Sequence, residues 1–197
     1  MFNPGGYLAE LRRSGRAPTL NGWQEMALLL AQQNKLDDAI NCIRAAIEIE
    51  PKNLGSFSSN FSLFLNNRSW QLATDPDPKM RDPMRAVALA QEAVQLAPSS
   101  GSFWNTLGVT QYRAGDYKVA IESLEKSCAL NSGGTAIDFF FLAMAKWQLE
   151  NNVEARQLFE KGVEQIKEEQ RNDPELIRFH AEAAELLGIE QLMPHKP

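Results

Sequence analysis

The chain has 197 residues, 44% hydrophobic and 23% charged, with 12 Gly and 10 Pro; this is ordinary globular usage and excludes wholesale disorder and low-complexity sequence. Twenty basic against 25 acidic residues give a net charge of −5, which argues against a dedicated nucleic-acid-binding domain, whose affinity rests on Lys and Arg neutralising phosphates. No apolar run approaches the roughly 20 residues of a membrane helix, and Pro4, Gly5, Gly6, Arg12, Arg13 and Arg16 interrupt any apolar leader core, so no membrane partner and a cytoplasmic location are expected.

Residues 1–19 read as a partly flexible lead-in, with Tyr7–Arg13 long enough for one short helix. In residues 20–53, Trp23, Met26, Ala27 and Leu30 keep the i, i+3, i+4, i+7 spacing of a helix face, and Ala39, Ile43 and Ala46 form a second stripe that Pro51 ends. Residues 54–100 follow the same grammar less regularly. Phe57, Phe61 and Phe64 start a stripe, with Ser69 as its small residue and Leu72 one turn later; a rival register gives the small position to Phe61. Thr74–Pro83 is a loop stiffened by Pro76 and Pro78, and Asp82-Pro83 supplies an N-cap and first helical position for the stripe Ala86, Ala90, Ala93, which stops at Pro98.

Residues 101–134 carry the strongest pattern. Trp104, Leu107, Gly108 and Gln111 share one helix face, Gly115 stops the helix, Asp116 caps the next, and Ala120, Leu124 and Ser127 continue it. In residues 136–169, Phe139, Leu142 and Ala143 precede Ala155, Phe159 and Gly162. A last helix over 173–188 is expected, with Asp173 as cap, Pro174 at its start, Gly188 at its end and the stripe Leu176, Phe179, Ala183, Leu186; residues 189–197 are a tail.

The small residues that open each second helix, Ala39, Ala86, Ala120 and Ala155, follow at intervals of 47, 34 and 35. Two of the three match a 34-residue helical-repeat period. On these residues the chain resembles the tetratricopeptide repeat (TPR) family, and the segment from Leu72 to Pro98 resembles bacterial TPR arrays sometimes attached to serine/threonine kinases. The resemblance implies an all-α, right-handed TPR superhelix of about four helix pairs plus a C-terminal capping helix. Trp23, Trp104 and Phe139 are then core plugs. Ala27, Gly108, Ala143 and their partners let helices approach closely, and the cap covers an end that a solenoid otherwise leaves apolar.

The same resemblance implies that the first helices line a concave groove. By the family pattern its candidates are Asn66 and Trp70, then Asn105, Val109, Tyr112 and Arg113, then Phe140, Met144 and Trp147, with Gln24 and Leu28 in the first repeat. Phe140, Met144 and Trp147 share one helical face. That face either lines the groove or is covered by the cap helix, since a helix apolar nearly all round is buried on both sides or faces a partner. Asn105 offers an amide donor and acceptor to an extended peptide. The carboxylate clamp of some TPR proteins needs basic groove residues, but Gln24, Leu28, Ser102 and Thr106 stand there, so chaperone tails are poor ligands.

No catalytic motif occurs: there is no Gly-x-Ser-x-Gly elbow, no phosphate loop and no kinase catalytic loop. Cys42 and Cys128 read as buried thiols, and His180 as a packing or surface residue. No metal and no cofactor are expected. The function implied is a non-catalytic protein–protein interaction scaffold or adaptor taking a peptide or partner helix in its groove. The alternatives are a self-assembling homo-oligomer and a regulatory partner of a separate enzyme such as a kinase.

Overall fold

The computed structural model describes residues 19–166 and 171–189. Among them are nine α-helices and no strand. In chain order they are α1 (Leu20–Gln32), α2 (Leu36–Ile49), α3 (Leu54–Thr74), α4 (Pro83–Leu96), α5 (Gly101–Arg113), α6 (Tyr117–Leu130), α7 (Ala136–Gln148), α8 (Asn152–Glu164) and α9 (Pro174–Leu187). The fold is an all-α helical solenoid. The lead-in over 1–18 and the tail from 190 lie outside the described residues.

Local chemistry sets the helix ends. Thr19 accepts a hydrogen bond from the Gly22 amide at 3.1 Å, and Asp82 and Asp173 cap α4 and α9, each followed by Pro. Thr135 and Asp138 form a reciprocal capping box at the start of α7. Three of the four turns within helix pairs are copies of one another. Asn34, Gly115 and Glu150 adopt φ of 58°, 88° and 62° at equivalent places. Each donates its amide to the carbonyl three residues back, and the next residue donates to the carbonyl five back, all at 2.9–3.0 Å. The repeat is thus written into the backbone itself.

The second pair departs from that pattern in two places. Helix α3 has 21 residues where α1, α5 and α7 have 13. Its turn carries extra chain with a 3₁₀ segment, Pro78–Met80. Ser69 is completely buried and its hydroxyl donates to the Ala86 carbonyl at 2.8 Å. A Cβ on Gly108 would lie 3.1 Å from the Ala120 carbonyl, so Ser69 and Gly108 hold the same place against the facing helix. From Ser69 to Ala86 is 17 positions, against 12 from Gly108 to Ala120.

Each first helix packs on its own second helix, and α3, α5 and α7 pack on one another in succession. These three make a continuous wall, and the side of it that faces α9 is its inner side. Two apolar clusters meet at α5, one running from Trp23 to Leu107 and the other from Val109 to Leu187. Trp23 and Phe139 are core residues as expected. Trp104 is not: it is half-buried at the edge of the first cluster, its indole N–H donating to the Pro98 carbonyl at 2.8 Å, while its neighbour Phe103 fills the interior. Successive helical positions differ by about 100°, so that exchange turns the helix face by roughly one position.

Candidate functional site

The inner wall of α3, α5 and α7 carries a helix, and that helix is α9. Its residues reach three successive first helices. On α3, the Trp70 indole N–H donates to both Glu175 oxygens at 3.0 and 3.2 Å, the Thr74 hydroxyl donates to Glu175 at 3.3 Å, and the Trp70 and Phe179 rings meet edge-on at 5.8 Å. On α5, Arg113 grips Glu182 with both terminal nitrogens, the Nη2 bond being 2.6 Å, and its guanidinium lies over the Tyr112 and Phe141 rings. On α7, Phe141 meets Phe179 at 5.0 Å and Phe140 meets His180 at 5.5 Å. Helix α8 completes the seat through Phe159 against His180 and Arg156 donating to the Leu187 carbonyl at 2.8 Å.

This arrangement decides where the expected groove residues stand. Val109, Phe140 and Met144 are fully buried and offer no surface to a ligand; their place in the groove is corrected to the core. Every residue from Phe139 to Ala145 is buried, because α8 covers one side of α7 and α9 the other. Tyr112 retains 9% exposure between the rings of Phe141 and Tyr117. Asn105 gives its amide to the buried Asp138 carboxylate at 2.7 Å, so its donor serves the α7 capping box. Trp70 and Arg113 are both engaged by α9. Asn66 and Trp147 are half-buried, Trp147 under the Arg156 guanidinium.

The residues of α9 that make the site, Glu175, Phe179 and Glu182, were not among the expected groove set. Their signal was an apolar stripe flanked by carboxylates seven positions apart, on a helix read as a simple cover. The buried register of α9 is Leu176, Phe179, His180, Ala183, Ala184 and Leu187; Leu186, expected in the stripe, is only half-buried.

Burial dominates the electrostatics. It pushes the Tyr112 hydroxyl up to about 12, with Glu182 adding to the effect. The Cys42 and Cys128 thiols are likewise pushed up to about 12 by burial, which keeps them protonated and poor nucleophiles. His180 is held below its ordinary value of 6.5 by the same cause. Among the described residues no helix is long and apolar enough to cross a membrane. A cleft of about 500 Å³ lies at the start of α9, between Trp70, Thr74 and Pro76 on one side and Pro174 and Arg178 on the other.

Comparison with known proteins agrees with this architecture. Family models described as tetratricopeptide repeat match residues 21–53 and 79–135. No curated protein matches the chain. Among solved structures, MamA (residues 41 to the end) from Desulfovibrio magneticus RS-1 is similar at a TM-score of 0.57 and 18% identity, over 87% of this chain and 94% of that one. A monomeric IFIT1 mutant, solved with m7Gppp-AAAA, is similar at 0.51 and 17% identity over 86% of this chain, which spans only 35% of it. TTC0263, a thermophilic TPR protein in Thermus thermophilus, scores 0.47 at 18% identity, over 88% of this chain and 84% of that one. At these identities the likeness to MamA and to IFIT1 is one of fold.

Proposed function

This chain is a tetratricopeptide-repeat protein, and from that premise we propose that it is a non-catalytic protein-interaction scaffold whose inner wall receives a helix or peptide of a partner. Such solenoids present extended preformed surfaces, so a partner does not have to order its receptor and association loses less free energy. One observation carries the reading. The wall formed by α3, α5 and α7 already holds an amphipathic helix by an aromatic in the centre and two carboxylates at its sides. A few such buried aromatic and Arg contacts dominate the affinity of a protein interface.

The test starts from the full chain immobilised in native lysate, followed by purification of what it captures and titration against wild type and a Trp70→Ala/Trp147→Ala variant. Circular dichroism and mass must show the variant folded in the same assembly state. The expected outcome is a partner whose Kd weakens at least tenfold on the variant. A partner held equally by both places the interface on another face.

A further inference from the structure

We infer that α9 is an internal ligand of the inner wall, and that a partner helix reaches this wall only when α9 leaves it. The inference rests on the scaffold reading above and adds its regulation. A helix that merely ends a solenoid needs to cover the last repeat, here α7 and α8. Helix α9 goes further and reaches α3, with Glu175 on Trp70 at a sequence distance of 105 residues. It presents the features of a bound amphipathic helix: Leu176, Phe179 and Ala183 face inward, and Glu175 and Glu182 stand about two helical turns apart. Those carboxylates land on the Trp70 indole and the Arg113 guanidinium.

The fit is incomplete, and that makes the helix exchangeable. Around the same seat, Arg113 Nε, Arg178 Nη1 and His180 Nε2 are buried without a hydrogen-bond partner. Each would regain water or a better-matched partner on opening, so the closed state pays for polar atoms it leaves unsatisfied. The cleft beside Trp70, Pro76 and Pro174 leaves the first turn of α9 open on one side, where a competing chain can begin to displace it. The partner that fits is therefore an amphipathic helix with an aromatic residue between two carboxylates, the pattern α9 itself carries.

A fluorescent peptide of residues 172–189 serves as the probe, titrated into the full chain. Wild type is expected to bind it weakly, because the seat is filled. A full chain carrying Phe179→Ala and Glu182→Ala is expected to bind it at least tenfold tighter, and Arg113→Glu added to that chain is expected to remove the gain. A probe bearing Phe179→Ala should bind neither. The inference is overturned if the α9-weakened chain, still helical, gains no affinity. Should that chain fail to fold, hydrogen exchange on wild type decides: α9 amides exchanging at least tenfold faster than those of α5 and α7 support an exchangeable helix, and amides exchanging in step with them overturn it. A partner captured equally by wild-type and α9-weakened chains would leave the scaffold reading standing while removing this gate.

Discussion

Glu150 occupies the turn position that Gly115 holds one repeat earlier, at φ 62°. An L-residue in the left-handed region costs roughly 1–2 kcal/mol, and the extra freedom of unfolded glycine takes back part of that. Glu150→Gly is expected to stabilise the chain by about 0.5–1 kcal/mol, seen as a higher Tm; a lower Tm would mean that the side chain holds something worth more than the strain. His180 has a different vulnerability. Packed between Phe140 and Phe159, it has its pKa lowered by burial, so the docked helix takes up a proton less readily than the undocked one. Above its ordinary value of 6.5 both docked and undocked forms are neutral, and the seat keeps its full stability. As pH falls below that value, the undocked histidine takes up a proton first, and docking weakens. Thermal unfolding should therefore show a Tm loss between pH 7 and 5.5 that His180→Phe flattens. An unchanged slope in that variant would assign the loss to other groups.

At the scale of the element, glycines separate close packing from open surface. A Cβ at Gly108 would sit 2.5 Å from Leu124 Cγ, whereas one at Gly55 in α3 meets nothing within 4 Å. Gly108→Ala is expected to cost about 1–3 kcal/mol through overpacking of α5 on α6, and Gly55→Ala to be neutral or to stabilise by up to about 1 kcal/mol. Paired urea melts would settle it, and equal midpoints would show that α5 and α6 can separate freely. What was legible in the sequence follows the same divide. The buried small residues Ala27 and Ala39, like Gly108 and the Ala120 it faces, sit 12 positions apart, so their periodicity exposes the helix pairs. The longer α3 and its turn still left Ser69 recognisable as the small residue. Neighbouring positions were harder: Phe103 and Trp104 are both large and aromatic, and only the packed neighbours decide which one turns inward.

For the whole molecule, the architecture was readable because a repeat announces itself locally, turn after turn. The site was not, because it depends on where α9 lands, and no spacing rule connects Trp70 to Glu175. That landing helps to hide Phe140, which looked equally suited to a groove, and it engaged Trp70 and Arg113. Denaturant unfolding followed by hydrogen exchange should show α3 to α8 losing protection in a single transition in wild type. Phe179→Ala should split or broaden that transition; one equally sharp transition in the variant would mean that α9 does not couple the repeats.

A solenoid is ordinarily a one-dimensional object, each unit knowing only its neighbours. Here helix α9 touches the second repeat as well as the fourth, turning a line into a loop. In a loop, strain introduced at one repeat is shared by all the repeats it encloses. A helix of 14 residues is about 21 Å long, enough to span three first helices spaced about 8–10 Å apart. Helix α9 is thus a strut long enough to tie these helices to one another. Inserting or deleting one repeat between α3 and α7 would leave that strut too short or too long for its two anchors.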